Sequence, residues 1–534
     1  MRSSLKSTFW ILALTAALLT VVAASGCGGA SLERVELQSG PITGVEEEDI
    51  WSFKGVPYAA PPVGDLRWKP PQPVTPWTEP RACTSFGPAC PQEGAGEWFY
   101  LDVGPTSEDC LYLNVWSPAE SADERLPVMV WIHGGSFISG AGSMAVYGGQ
   151  ELAKRGVLVV TINYRLGPLG FLAHPALSAE SPQGVSGNYG LLDQIAALRW
   201  VQQNIAGFGG DPANVTVFGE SAGAISILDL LVSPLADGLF QRAIVQSGIL
   251  LDAGFGVSTN STLAQAEQAG VKFAEGLGAD ASGDAAGQLR ALSADALVAA
   301  AGQAESLMDA GLSWKPVADG YVLPDLPSRL WLAGKQMKVP LLIGSNKDEG
   351  NAFLAGLTIP PTEYEAYMNK IFGPYTEEAL TLYPVEQPED VMPALSRMLT
   401  EVGFASTARF AARAMSAATA TGGPSAFLYE FTRVPLGNPL GAFHAVEIPY
   451  VFGNAGLFTS LGKLEPADYD LSATIMGYWT RFAATGDPNG DEAPLWPPYD
   501  SVTDRHLELG DTIGTGSGLY KEACDLADKV RGVQ

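Results

Sequence analysis

The stretch that decides the fold is Val215-Thr216-Val217-Phe218-Gly219-Glu220-Ser221-Ala222-Gly223, a short apolar run that ends in Gly-x-Ser-x-Gly. A helical pattern continues from Ala222 to Val232. A serine hydroxyl is a poor nucleophile at neutral pH, so acyl-transfer chemistry needs it on a rigid turn beside a base. The two glycines allow a strand to turn sharply into a helix and leave the serine projecting. The stretch therefore predicts a nucleophile elbow with Ser221 at its tip.

Strand and helix patterns alternate on both sides of this elbow. Short apolar runs predict buried strands at residues 126–132, 157–162, 242–246, 339–344 and 426–431. Apolar residues recur at helical spacing over 188–205, and Gly207 ends that pattern. This alternation predicts an α/β fold with a mostly parallel central sheet and helices on both faces.

Two further segments interrupt the alternation. The Ala-rich stretch 263–312 has no strong strand pattern and predicts a helical insertion, either over the site or as an inert packing pair. The Pro-rich segment 57–80 predicts a surface loop, in which Arg67 and Trp68 serve packing rather than chemistry.

A tetrahedral intermediate needs hydrogen-bond donors aimed at its oxyanion. The backbone N–H after the nucleophile, here that of Ala222, is one such donor. His133-Gly134-Gly135-Ser136-Phe137 follows a predicted strand, and its glycines leave the backbone open to close approach. Paired with the elbow, this loop predicts an oxyanion hole.

The general base must be a histidine, and the chain has only four, His133, His174, His444 and His506. In an elbow-type hydrolase the histidine follows the nucleophile, which removes His133 and His174. The charged neighbours of His506 predict an exposed side chain, so His444 is the better base. The acid must precede it after a strand, where Asp348 and Glu349 are both suitable, and the residues alone do not choose between them.

Composition limits the function classes. The chain has 534 residues, 46% of them hydrophobic, which is enough for a large core and excludes a disordered protein. Its formal net charge of −27 repels phosphate polyanions, so a nucleic-acid partner is not expected. No linker pattern divides the chain, and residues 33–534 are predicted to form a single catalytic domain.

The N-terminus has the pattern of an export signal. Arg2 and Lys6 precede an apolar run that ends in Ala24-Ser25-Gly26-Cys27. The pattern predicts a lipoprotein-type signal peptide over 1–26, lipidation of Cys27 and a short anchor linker over 27–32. The protein would then be an exported bacterial lipoprotein of the cell envelope, anchored to the membrane. Cleavage of an ordinary signal peptide nearby is the alternative, and the protein would then be secreted.

The other cysteines form an even set: Cys83, Cys90, Cys110 and Cys524. An exported chain allows disulfides. A bridge between Cys90 and Cys110 would close a short loop and stabilise the fold by about 3 kcal/mol. None of the cysteines lies in a CxxC or Cys/His cluster, so neither a metal nor an organic cofactor is expected.

Taken together, these motifs resemble the type-B carboxylesterases, a family that includes cholinesterases and bacterial para-nitrobenzyl esterases. The resemblance spans about residues 33–488. It rests on Phe53 to Tyr58, Ser107 to Val115, His133-Gly134-Gly135, Asn163-Tyr164-Arg165, Gly207 to Asp211, Phe218 to Gly223 and Asn346 to Gly350.

The resemblance implies an α/β-hydrolase fold and a site residue by residue. It places the nucleophile on Ser221, the acid on Glu349 and the base on His444. It also places the oxyanion donors on the backbone of Gly135, Ser136 and Ala222, a disulfide on Cys90 and Cys110, and ion pairs on Arg67 with Glu108 and Arg165 with Asp193.

The implied reaction is hydrolysis of a small-molecule carboxylic ester through an acyl-enzyme. The aromatic candidates for the substrate pocket are Trp98, Phe99, Tyr100, Phe137 and Phe353. Two alternatives stay open from the sequence. One is an adhesion homologue without catalysis, and the other is a lipase or carbamate hydrolase that uses the same triad.

Overall fold

The computed structural model describes residues 32–93, 102–251, 258–279, 283–301, 314–419, 423–457, 462–491 and 493–533. The predicted signal peptide, the lipidation site at Cys27 and Trp98, Phe99 and Tyr100 lie outside these ranges. Among the described residues, no helix has both the length and the apolar character that crossing a bilayer requires.

An eleven-stranded sheet forms the centre of the described structure. In chain order the strands of the structure are β1 (Arg34–Leu37), β2 (Gly40–Thr43), β3 (Val45–Glu47), β4 (Ile50–Pro57), β5 (Arg81–Ala82), β6 (Tyr112–Ser117), β7 (Leu126–Ile132), β8 (Leu158–Ile162), β9 (Gly210–Glu220), β10 (Arg242–Gln246), β11 (Ser261–Thr262), β12 (Val317–Ala318), β13 (Leu341–Asn346), β14 (Ala426–Phe431), β15 (Arg505–Leu509) and β16 (Gly514–Ser517).

The order across the main sheet is β16-β15-β14-β13-β10-β9-β7-β8-β6-β4-β3. The seven strands from β15 to β8 run parallel to their neighbours, and antiparallel strands flank them on both sides. Every residue of β8 and β13 is buried, as expected for parallel strands covered on both faces. The predicted mostly parallel sheet is confirmed.

The chain changes direction across the sheet between β7 and β9. It runs from β7 outward to β8, then returns to β9 on the other side of β7 and continues through β10, β13 and β14. Ligands of open α/β sheets bind at the carboxyl ends of the strands beside such a switch point. Here those ends carry the predicted oxyanion loop after Ile132 and the elbow after Glu220.

The helices of the structure are α1 (Gln150–Ala153), α2 (Gly167–Phe171), α3 (Pro175–Glu180), α4 (Tyr189–Asn204), α5 (Ala222–Leu230), α6 (Leu263–Gly276), α7 (Ala285–Arg290), α8 (Ala294–Ala301), α9 (Pro327–Leu332), α10 (Glu349–Leu354), α11 (Pro361–Phe372), α12 (Thr376–Leu382), α13 (Val391–Met398), α14 (Ser406–Thr419), α15 (Ile448–Phe452), α16 (Pro466–Thr485) and α17 (Lys521–Arg531). A π-helical segment, Leu399–Ala405, joins α13 to α14.

Two apolar layers hold these helices on the sheet. Because side chains alternate along a strand, Val128 and Val130 of β7 face α4 and α5, whereas Met129 and Trp131 face α15 and α16. All four side chains are completely buried. The sheet is therefore covered on both faces, as the sequence predicts.

The predicted helical insertion contains α6, α7 and α8 in its described part. Apolar side chains of these helices form a separate small core with Trp68 and Leu172, which supports the packing alternative. Trp68 is buried and its indole N–H donates to the carbonyl of Pro168, so the Pro-rich loop is pinned as a packing element.

Candidate active site

Ser221 stands at the sharp turn between β9 and α5. Its backbone has φ 55° and ψ −122°, a conformation that an L-residue rarely adopts. A Cβ on Gly223 would lie 1.9 Å from the carbonyl oxygen of Ile132, and one on Gly219 would lie 2.6 Å from the same atom. Only glycine fits at either position, so the predicted elbow is the conformation that the structure has.

The predicted oxyanion loop lies directly against the elbow. A Cβ on Gly134 would approach the Cβ of Ser221 to 3.0 Å. Gly135, Ser136 and Phe137 all have positive φ, at 102°, 54° and 62°. Successive backbone N–H groups in such turns converge into a concave donor site that suits an anion. The loop therefore has the backbone form that stabilisation of an oxyanion requires.

His133, the first residue of this loop, holds it in place through contacts with Tyr164. Its ring stacks on Tyr164 at 4.4 Å between centroids, and the Tyr164 hydroxyl donates to the His133 carbonyl at 2.9 Å. Burial lowers the pKa of His133 to about 4, although its bond with the Gly134 carbonyl opposes that shift. The imidazole is therefore neutral and donates from Nδ1 to the Gly134 oxygen, 2.8 Å away. His133 is part of the loop architecture and does not act as the base.

The structure brings Glu349 and His444 into direct contact. His444 Nδ1 lies 2.6 Å from Glu349 Oε2, and both side chains are buried. Glu349 Oε1 accepts hydrogen bonds from the backbone N–H of Asn346 at 2.7 Å and from the Ser247 hydroxyl at 2.5 Å. The carboxylate thus has a single orientation, with one oxygen reserved for the histidine.

Asp348, which the residues alone left as an alternative acid, has a different role. Its Oδ2 accepts from the backbone N–H of Ala442 at 2.8 Å, and its own N–H donates to the Ala442 carbonyl at 2.9 Å. These two bonds fasten the loop that carries His444. The geometry therefore supports Glu349, as the family resemblance implies.

The other nitrogen of His444 points to the elbow. His444 Nε2 has no hydrogen-bond partner and lies 3.0 Å from Oε1 of Glu220. Burial alone would lower the pKa of His444, but the carboxyl groups of Glu220 and Glu349 raise it to about 9. Burial also raises the pKa of Glu220 well above its usual range. The charge of a protonated His444 opposes that shift, so the imidazolium and an ionised Glu220 stabilise each other.

A buried polar network behind the histidine loop was not predicted. Glu447 accepts from the side-chain amides of Gln246 at 3.0 Å and Asn346 at 2.6 Å, and the indole of Trp479 donates to Gln246 at 3.0 Å. The network ties the ends of β10 and β13 to the loop after His444. No sequence pattern marks these residues, because they meet only when distant strands are paired.

Aromatic rings line the other side of the histidine. Phe353 and Phe404 lie 4.7 and 5.1 Å from the His444 ring and stack on each other at 5.9 Å. Phe353 was a predicted pocket residue, and Phe404 of the π-helical segment was missed. Phe137, another predicted pocket residue, is fully buried and packs on Phe171, so it belongs to the core.

The predicted disulfide is present, and Gln92 connects it to the oxyanion loop. Cys90 and Cys110 are bonded, with a separation of 20 residues. Gln92, beside Cys90, exchanges two hydrogen bonds with the backbone of Gly140 at the end of the oxyanion loop. The bridge therefore anchors that loop.

The other two cysteines, Cys83 and Cys524, for which the sequence predicted no pairing, are both free and buried. Both implied ion pairs are present. The shortest N–O distance is 2.5 Å between Arg67 and Glu108 and 2.7 Å between Arg165 and Asp193.

The two remaining histidines lie outside this cluster. His174 caps α3, where its Nδ1 accepts from the N–H of Ala176. His506 is on β15 and only 4% exposed, so the predicted exposed side chain is wrong. The charged neighbours predicted exposure, but β16 covers His506, since a Cβ on its register partner Gly516 would lie 2.5 Å from His506 Nε2.

Comparison with known proteins agrees with this geometry. A model of the carboxylesterase family matches residues 31–527. The chain belongs to the carboxylesterase family. A fumonisin B1 esterase from Sphingopyxis macrogoltabida is 41% identical over 494 residues, covering 90% of this chain and 87% of that protein. The para-nitrobenzyl esterase of Bacillus subtilis is 39% identical over 490 residues, covering 90% and 95%.

Solved structures give the same result for the fold of this carboxylesterase. A thermophilic para-nitrobenzyl esterase superposes with a TM-score of 0.82 at 37% identity, covering 93% of this chain and all of the other. A second para-nitrobenzyl esterase gives 0.80 at 38% identity. The predicted α/β-hydrolase fold is confirmed, and the protein is a serine carboxylesterase that hydrolyses carboxylic esters.

Proposed function

We propose that Ser221, His444 and Glu349 form the catalytic triad of this carboxylesterase, with Ser221 as the nucleophile. The observation that carries the proposal is the 2.6 Å contact between buried His444 Nδ1 and Glu349 Oε2, with His444 Nε2 3.0 Å from Glu220, the residue before a serine held at positive φ. A carboxylate at Nδ1 fixes the imidazole in the tautomer whose Nε2 can accept a proton.

The reaction then proceeds in two steps. His444 takes the hydroxyl proton of Ser221 as the oxygen attacks the ester carbonyl, and Glu349 stabilises the imidazolium that forms. The backbone N–H groups of Gly135, Ser136 and Ala222 stabilise the oxyanion. The alcohol leaves with the proton from His444, and the same base activates the water that releases the acid from Ser221.

The substrates that we propose are small esters with an apolar acyl or alcohol part. Support comes from Phe353 and Phe404, whose rings stand beside the base and offer an apolar wall. Rates along a series from acetyl to palmitoyl esters of para-nitrophenol test this, because a preference for the longest chains would indicate a lipase instead.

We also propose that the protein is an exported lipoprotein, lipidated on Cys27 after removal of 1–26. The charged start, the apolar run and the small residues before Cys27 support this. In cells, Cys27→Ala should move the esterase from the membrane fraction to the soluble fraction. Retention on the membrane would contradict lipid anchoring.

The triad is tested by hydrolysis of para-nitrophenyl butyrate. Protein lacking residues 1–27 should turn over the ester, and the Ser221→Ala variant should keep its fold and lose activity by several orders of magnitude. Equal activity in both proteins would overturn the assignment of the nucleophile. No turnover in either protein would favour the alternative that the chain is an adhesion homologue without catalysis.

A further inference from the structure

A second cluster of ionisable side chains lies on β14 and β15. One donor atom each of Glu430, His506 and Glu508 lies within 4.8 Å of the others. Glu430 and Glu508 are register partners on neighbouring parallel strands, and His506 is two residues before Glu508. All three side chains therefore leave the same face of the sheet.

The histidine in this cluster is not satisfied by the protein. His506 is 4% exposed, its Nδ1 has no hydrogen-bond partner, and its Nε2 lies 3.7 Å from Glu508 Oε1, too far for a hydrogen bond. Buried polar atoms of native proteins are nearly always paired. An imidazole in this state, beside two carboxyl groups, has the donor set of a metal site.

Gly516, on the strand at the sheet edge, packs closely against two of these groups. Gly516 of β16 is the register partner of His506. A Cβ at Gly516 would lie 2.5 Å from His506 Nε2 and 3.1 Å from Glu508 Oε1. Any other residue would collide with His506, so glycine is needed for the two donor groups to keep their positions.

The carboxyl groups have complementary surroundings. Glu430 is buried, and its Oε1 accepts from the hydroxyl of Tyr520, which orients the group. Glu508 is 49% exposed at its side chain, so an ion can enter from solvent and Glu508 can close over it. Donors of one tetrahedral zinc ion lie about 3.4 Å apart, so closure from the present separation of up to 4.8 Å needs a movement of about 1.4 Å or less.

We propose that Glu430, His506 and Glu508 form a structural site for a divalent transition metal ion, with Zn²⁺ as the fitting ion. One imidazole and two carboxylates suit zinc, whereas Ca²⁺ and Mg²⁺ prefer sites made only of oxygen. The bound ion would link β14 to β15, and through Tyr520 it would hold the segment that leads into α17. The site is separate from the triad, so it acts on stability.

Equilibrium dialysis of the untagged enzyme against micromolar Zn²⁺, followed by metal analysis, tests the site. We expect one zinc per chain, an upward shift of the melting temperature with zinc, and visible absorption bands when Co²⁺ replaces it. Glu508→Gln alters a half-exposed side chain with little change in size. It should weaken zinc binding at least tenfold and remove the shift of the melting temperature with zinc, and His506→Asn should do the same. Esterase activity should be unchanged in both variants.

His174→Asn is the matched control, because asparagine also caps a helix and the residue lies outside the cluster. It should bind zinc as the unchanged enzyme does. Zinc binding that is equal in all four proteins, or the absence of stoichiometric binding at micromolar zinc, would overturn the proposal. Binding that survives both cluster variants and inhibits hydrolysis would place the ion at the triad and would overturn it as well.

Discussion

Glu220→Gln removes the negative charge that lies nearest to the free nitrogen of the base. Glu220 Oε1 is 3.0 Å from His444 Nε2, and both groups are buried. A carboxylate at that distance raises the pKa of the imidazole, which its amide replacement cannot do. Because the base acts only when neutral, kcat/KM falls as the pH drops through the pKa of His444. The variant should therefore keep its activity to lower pH than the unchanged enzyme.

The distance sets the size of this shift. Two unit charges 3.0 Å apart interact by about 1.4 kcal/mol even at the permittivity of bulk water, which corresponds to about one pKa unit. The protein around this buried pair screens the two charges less than bulk water does, so one pKa unit is a lower bound for the shift. The acid limb of the profile should move down by about one pH unit or more.

The assay is kcat/KM for para-nitrophenyl butyrate from about pH 5 to about pH 9. Asp229→Asn is the control. Asp229 lies on α5 and accepts a hydrogen bond from the Asn260 side chain at 3.0 Å. Like that of Glu220, its carboxyl group is buried, and burial raises its pKa. The control should leave the acid limb in place. An unmoved limb in Glu220→Gln, or the same shift in both variants, would refute the electrostatic link between Glu220 and His444.

Two further substitutions test the supports of the site. Ser247→Ala removes one hydrogen bond to the Glu349 carboxylate. Since a bond to a charged group contributes about 1.5–3 kcal/mol, kcat should fall about tenfold or more, and an unchanged kcat would contradict the orienting role. Removing the bridge by Cys90→Ser with Cys110→Ser should lower the free energy of unfolding by about 3 kcal/mol, measured by denaturant titration, and should also lower kcat through Gln92; a loss of stability with full kcat would contradict the link to the oxyanion loop.

Local patterns were enough to predict the parallel sheet and the elbow. Buried parallel strands are continuous apolar runs, and the strand that ends at Glu220 turns on two glycines that no other residue could replace. Strand boundaries were less accurate. β9 begins at Gly210, well before the apolar run that starts at Val215, because Gly210 pairs with Leu126 before a register shift.

The residues alone did not distinguish Asp348 from Glu349 as the acid, and the folded structure does. The two carboxyl groups are neighbours in sequence, and only the folded loop shows that one binds backbone and the other binds His444. Ser247 and Glu447 were missed for a related reason, since each reaches the site from a different segment of the chain. His506 was misjudged because its neighbours are charged, although the neighbouring strand β16 covers it.

Trapping the acyl-enzyme is the measurement that we would make first. The enzyme is mixed with excess para-nitrophenyl butyrate, quenched in acid within the first turnovers, digested and examined by mass spectrometry. A butyryl adduct on Ser221, absent from the Ser221→Ala variant, is the expected result, because the Ser221 hydroxyl is proposed to attack the ester as His444 takes its proton. Turnover by that variant at the normal rate, or an adduct on a different residue, would contradict the proposed triad.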